Sequence, residues 1–192
     1  MKIAMLAAGA KGLPVILDAV GVACSALRRE YIGELLALGT PAVIKGNYSE
    51  IYALRHEAYR SSGVDADGLI DTESISHAAV ELALKYRTTV IASGKTDLVT
   101  NGTRVVEIKN GTPQLSRITG TGCLLGALCG AYLSVCADIN AAITACAVLG
   151  VCGQIAETPK GGGSFGMKLM DALSTLTEAQ LETYAKIEER LL

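Results

Sequence analysis

Thr119-Gly120-Thr121-Gly122-Cys123, followed at once by Leu124-Leu125-Gly126-Ala127-Leu128, is the stretch of this sequence best suited to chemistry. Glycines just ahead of a helix let consecutive backbone N–H groups turn toward one point, and the helix dipole adds positive potential there. Such a nest suits a phosphate, or a negative charge that develops during a reaction. Cys123, in the first turn, would lie in the same field. A glycine-rich cap with an idle buried cysteine has the same pattern, so the pentapeptide alone leaves both readings open. Three further polar residues stand at or just past the ends of apolar runs: Asp18 after residues 14–17, Lys45 after 42–44 and Ser93 after 88–92. Glu50, three positions beyond Asn47, has the spacing of the reciprocal capping pair that opens a helix.

The elements that must position these residues alternate. Residues 2–12 read as a helix closed by Gly12 and 14–18 as a buried strand. A helix at 25–38 stops at Gly39, and 42–45 is the next strand. Residues 61–71 are polar and glycine-rich and read as a loop. Thr72 is expected to cap a helix reaching Tyr86, which feeds a strand at 88–92. Asn101-Gly102 between residues 97–100 and 103–108 is a hairpin signal. Gly120 and Gly122 are expected to precede two long helices rich in small residues. A glycine run at 161–163 and a final helix, capped by Thr177 and Gln180, end the chain. Strand and helix in alternation predict an α/β fold, a mainly parallel sheet with helices on both faces and a β-hairpin insertion. Ligands in such sheets collect beyond the carboxyl ends of the strands, where Asp18, Lys45 and Ser93 stand.

At 192 residues the chain suits one domain, residues 1–192. A formal charge of −2, with Lys and Arg scattered, gives no electrostatic case for nucleic acid or an anionic membrane. The mean hydropathy of +0.37 comes with two charge-free stretches, residues 118–137 and 139–156, each long enough to cross a bilayer. Both are diluted by Gly, Ala, Thr and Cys, which favours helices of a core over a membrane hairpin. The brief apolar run after Lys2 leads straight into Lys11, unlike a signal peptide. None of the six cysteines forms a C-x-x-C pair, and Cys129, Cys136, Cys146 and Cys152 read as packing residues of a reduced, cytoplasmic protein.

Several segments, in order, resemble one family. The pentapeptide ending in Cys123 is similar to the anion-hole motif of ribokinase-like kinases, with cysteine at the usual aspartate position as in the hydroxyethylthiazole kinase branch. Leu17-Asp18-Ala19-Val20-Gly21, Lys45-Gly46-Asn47-Tyr48-Ser49-Glu50-Ile51, Gly63-Val64-Asp65-Ala66, Ser93-Gly94 with Asp97, Gly161-Gly162-Gly163-Ser164-Phe165 and Asp171-Ala172-Leu173 resemble further motifs of that branch. The resemblance implies transfer of the γ-phosphoryl group of ATP to the primary hydroxyl of 4-methyl-5-(2-hydroxyethyl)thiazole, a step in making or salvaging thiamine. It implies an anion hole at Gly120, Thr121, Gly122 and Cys123, and thiazole substrate beside Gly120 and Cys123. ATP would meet Lys45, Ser93 and Gly94. Mg²⁺ would be held through water by Asp18 and Glu50. It also implies a homo-oligomer, a trimer with sites between subunits. Family members carry further strands and helices ahead of the position of Met1, about two βαβ units of roughly thirty residues each. The sequence is therefore expected to lack an N-terminal portion and to leave an apolar sheet edge open. A nucleotide-binding remnant without turnover is the rival reading.

Overall fold

The computed structural model describes residues 1–56, 58–60 and 70–191. The motif at Gly63 to Ala66, and most of the loop expected around it, lie outside the described residues.

One sheet organises the chain. Its strands are β1 (Ile16–Asp18), β2 (Val43–Asn47), β3 (Thr89–Ser93), β4 (Asp97–Thr100), β5 (Arg104–Ile108) and β6 (Ile187–Leu191), adjacent in that order. β1, β2 and β3 are parallel, with Asp18 opposite Lys45 and Asn47 opposite Ser93. β3 to β6 pair antiparallel. The sheet is thus mixed instead of mainly parallel: the expected hairpin already brings two antiparallel pairings, and a last strand adds a third. That strand escapes sequence reading because Ile187-Glu188-Glu189-Arg190-Leu191 looks like a solvated helical tail. It is held by β5 and by ion pairs of Arg104 with Glu189 and Lys109 with Glu188.

Helices cover both faces. α1 (Lys2–Ala10), α2 (Ala26–Leu38), α3 (Tyr48–Arg55) and α4 (Thr72–Tyr86) precede β3. Ile75, Ala79, Leu82 and Ala83 of α4 recur at helical spacing and bury against Ile44, Val90, Ala92 and Leu98 of the sheet. Asp71, rather than Thr72, caps α4: its carboxylate accepts the Ser74 N–H at 2.8 Å. α5 (Pro113–Ser116), α6 (Thr121–Leu133), α7 (Ile139–Ala156), α8 (Gly162–Thr175) and α9 (Glu178–Tyr184) follow β5. The expected closing helix, opened by the Thr177–Gln180 capping box, is α9, and the glycine run at 161–163 leads into a further helix, α8, that the sequence pattern does not separate from it. α6 begins at Thr121, so Gly122 lies inside its first turn instead of preceding it.

α7 is long and apolar enough to cross a membrane, yet most of its residues are buried in the protein core. Its small residues allow close approach. A Cβ on Gly150 would come within 2.7 Å of Asn110 Cβ, and one on Gly153 within 2.8 Å of Leu115. Cys129, Cys146 and Cys152 are buried as expected, but Cys136 is exposed, because α6 ends at Leu133 and leaves it in the following loop.

Candidate active site

The carboxyl ends of β1, β2 and β3 and the head of α6 meet on one side of the sheet. Residue alternation decides this. Val43 and Ile91 pack into the α6–α7 layer, so Lys45 and Ser93, two positions on, share their face.

Past Asp18 the chain turns back, with the Ala19 N–H on the Lys45 carbonyl at 2.7 Å and Gly21 at φ +76°. Glu50 holds this turn. One of its carboxylate oxygens accepts the Gly21 N–H at 2.7 Å and the other accepts the Asn47 N–H at 2.8 Å. The Asn47 side chain accepts the Glu50 N–H at 2.9 Å, completing the capping box that opens α3. Glu50 is only 4% exposed. Burial raises its pKa and so does the nearby Asp18, against the lowering effect of the Gly21 and Asn47 N–H groups. Both oxygens are thus engaged in joining the β1–α2 turn to the start of α3, which is compatible with the expected contact to Mg²⁺ through water and leaves little room for direct ligation.

Lys45 is also only 4% exposed, and its ammonium contacts the Asp18 carboxylate at 2.7 Å. Its stem runs under α6, where a Cβ on Gly126 would lie 3.6 Å from Lys45 Cδ and one on Gly122 3.8 Å from Nζ. Glycines four residues apart share a helix face and open a path for the lysine. A positive charge thus sits directly beneath the first turn of α6. The spacing of Gly122 and Gly126 was the available signal, and it became legible only once Lys45 was known to face them.

The turn itself is open. Gly120, at φ +103°, is the N-cap residue and supplies no side-chain cap. Thr121 instead donates its hydroxyl to the Leu115 and Ile118 carbonyls at 3.0 and 3.2 Å, fixing the approach to the helix. Among the described residues none accepts a hydrogen bond from the N–H groups of residues 120–123. Gly122 and Cys123 are exposed. The idle-cap reading expects a buried cysteine, and Cys123 is exposed.

Ser93 and Gly94 lie across β2 from this centre. The Ser93 hydroxyl donates to the Gly46 carbonyl at 3.3 Å, and the Gly94 N–H donates to Asp97 Oδ1 at 3.0 Å. The Ser93 hydroxyl and the N–H of Gly94, two residues expected to meet the nucleotide, therefore have internal acceptors. Ser93 must release Gly46 to donate, and Gly94 offers no free N–H. Burial of the Asp97 carboxyl, although the residue as a whole keeps some access to solvent, pushes its pKa up to about 7.

Among the described residues no three His, Cys, Asp or Glu side chains converge as a metal site. Mg²⁺, however, keeps much of its hydration and is commonly held by one or two carboxylates together with phosphate oxygens. Asp18 fits that demand, since its side chain retains 36% of its surface while paired with Lys45. Glu50 fits only through intervening water.

A six-stranded sheet between helical layers, with an uncapped glycine turn facing strand-end Asp18 and Lys45, defines a small-molecule kinase of the ribokinase-like fold. The pyridoxal kinase of Staphylococcus aureus in complex with AMP-PCP and pyridoxal shares this fold, at a TM-score of 0.63 and 17% identity over all of this chain and 70% of that one. The sequence pattern of the hydroxyethylthiazole kinase family matches residues 1–179. A hydroxyethylthiazole kinase of Listeria monocytogenes serotype 4b (strain F2365) is 41% identical over 98% of this chain and 71% of its own length. The structure of the hydroxyethylthiazole kinase protein from Pyrococcus horikoshii OT3 superposes with a TM-score of 0.86 at 34% identity, covering 97% of this chain and 69% of that one. The chain belongs to the hydroxyethylthiazole kinase family.

Proposed function

We propose that the chain transfers the γ-phosphoryl group of ATP to the primary hydroxyl of 4-methyl-5-(2-hydroxyethyl)thiazole. The observation that carries this reading is the set of unpartnered N–H groups at residues 120–123 above the buried Lys45 ammonium. In phosphoryl transfer the charge on the moving group is dispersed over its equatorial oxygens, so aligned donors and fixed positive charge do most of the catalytic work. The thiazole hydroxyl attacks phosphorus in line, the bond to the β-phosphate oxygen breaks, and ADP leaves. Cys123, exposed beside the turn, orients that hydroxyl and accepts its proton as a weak base. Gly120, with no side chain and open space around its Cβ position, admits the substrate.

Lys45 meets the phosphates from below and Ser93 contacts the nucleotide by turning its hydroxyl away from Gly46. Asp18 would hold Mg²⁺, with Glu50 reaching it through water, and the ion would offset the charge of the triphosphate. A homo-oligomer, a trimer by family resemblance, is supported by exposed Ile3, Leu6 and Leu13 close to the β1 edge of the sheet. The six free cysteines support a reducing, cytoplasmic location.

The test is ADP formation by the purified chain with ATP–Mg²⁺, with and without the thiazole alcohol. Release of ADP that depends on the alcohol, with the phosphate ester as product, is the expected result. Nucleotide binding without ester formation would instead establish a binding protein.

A further inference from the structure

We propose that Tyr48 is a positioning residue for the nucleotide, fixing the Ser93–Gly94 turn through a ring contact and one hydrogen bond. The inference rests on the kinase reading above. Tyr48 is the first residue of α3, directly after Asn47, and Asn47 lies opposite Ser93 in the sheet. Its phenol donates to the Thr96 carbonyl at 2.6 Å, from 48 residues away in sequence. Its ring lies so close to Gly94 that an added Cβ there would stand 2.7 Å from Cε1 and 2.8 Å from Cζ. Gly94 does not occupy the left-handed backbone region. Its lack of a side chain therefore answers to the tyrosine ring and not to the backbone.

The turn between β3 and β4 is held at further points, by Ser93 on Gly46 and by Gly94 on Asp97. In the free protein two of these contacts reach the turn from Gly46 and Tyr48, the segment that also carries Lys45 and Glu50. The Tyr48 contact is the one that remains when Ser93 turns to the nucleotide. Tyr48 thereby ties the part of the site expected to meet the nucleotide to the part that holds the phosphate end. Burial, with the charge of nearby Asp97 adding to it, pushes the Tyr48 pKa up to about 12, so the phenol remains a donor throughout the working range. A purely structural core position would be served as well by phenylalanine, and the hydroxyl is what the core does not need.

Tyr48→Phe keeps the ring and deletes the bond to Thr96. The expected result is a KM for ATP raised about three- to tenfold, the loss of one net hydrogen bond, with kcat and the KM for the thiazole alcohol within about twofold of the parent. Gly94→Ala pushes a methyl group into the ring and should weaken ATP more strongly. Tyr48→Leu in the Gly94→Ala background removes the obstructing ring and should recover part of that loss, an outcome that direct contact between Gly94 and nucleotide does not allow. An unchanged ATP KM in Tyr48→Phe, a fall confined to kcat, or failure of the double variant to recover would overturn the proposal while leaving the kinase reading intact. Calorimetric titration of the parent with ATP–Mg²⁺ separates the two: a parent that neither binds nor turns over ATP defeats the kinase reading, and the role of Tyr48 with it.

Discussion

Replacing Glu50 by alanine removes the acceptor for two backbone N–H groups at once, those of Gly21 and Asn47, at 2.7 and 2.8 Å. Gly21 is buried, so water cannot readily take over for it. An unsatisfied buried donor costs about 1–3 kcal/mol. Relief from burying a carboxylate, whose raised pKa records that strain, offsets part of the loss. The net expectation is destabilisation of about 2–3 kcal/mol. For a chain of this size each kcal/mol moves Tm by roughly 2–4 °C, so a fall of about 5–10 °C is expected by circular dichroism. Glutamine keeps one acceptor and should fall between. Because the folded state raises the Glu50 pKa above its ordinary 4.5, the parent's advantage over alanine shrinks as pH rises through the window above that value and then levels off. The melts are run without nucleotide or divalent cation. If Glu50→Ala then melts within a degree of the parent, the carboxylate does not hold the two loops together, and a role confined to the cation takes its place.

Asp97→Asn tests the raised pKa of about 7. The folded parent holds that proton where the unfolded chain has lost it, so its stability falls as pH rises from about 4 to 7, whereas asparagine does not titrate. Urea unfolding at pH 5 and 8 should show the variant gaining about 2 kcal/mol on the parent between the two. Gly150→Ala places a methyl group against the Asn110 backbone, which the Gln154 and Tyr184 bonds keep from yielding, and should cost about 1–3 kcal/mol in the same experiment. Gly122→Pro deletes one N–H in a helical turn that tolerates proline and should lower kcat about a hundredfold. Cys123→Ala should cost about tenfold or less, because the attacking hydroxyl needs little help from a base; the reverse order would shift the catalytic burden from the turn to the thiol.

The parallel half of the fold was legible because burial runs and caps there are local signals. Asp18 and Ser93 close apolar strands, Asn47 and Glu50 read as a capping box, and each falls where expected. β6 was not legible, since its charged residues join the sheet only through pairing with β5, a contact about eighty residues away in sequence. At the site, residue types were readable and partnerships were not. Nothing in the sequence says that Glu50 spends both oxygens on backbone amides, that Ser93 already has an acceptor, or that Gly94 is small because a tyrosine ring lies on it. Those facts depend on which strands lie side by side.

Lys45 is never a bare cation waiting for an anion, because Asp18 neutralises it in the resting protein. An arriving phosphate must share the ammonium with that carboxylate, so a weakly charged ligand gains little from it. Fixed positive charge speeds a reaction only where it holds the transition state more strongly than the bound substrate; otherwise it merely fills the site. With Asp18 always at hand to reclaim the ammonium, any anion that pairs with Lys45 is held less tightly than a lone lysine would hold it.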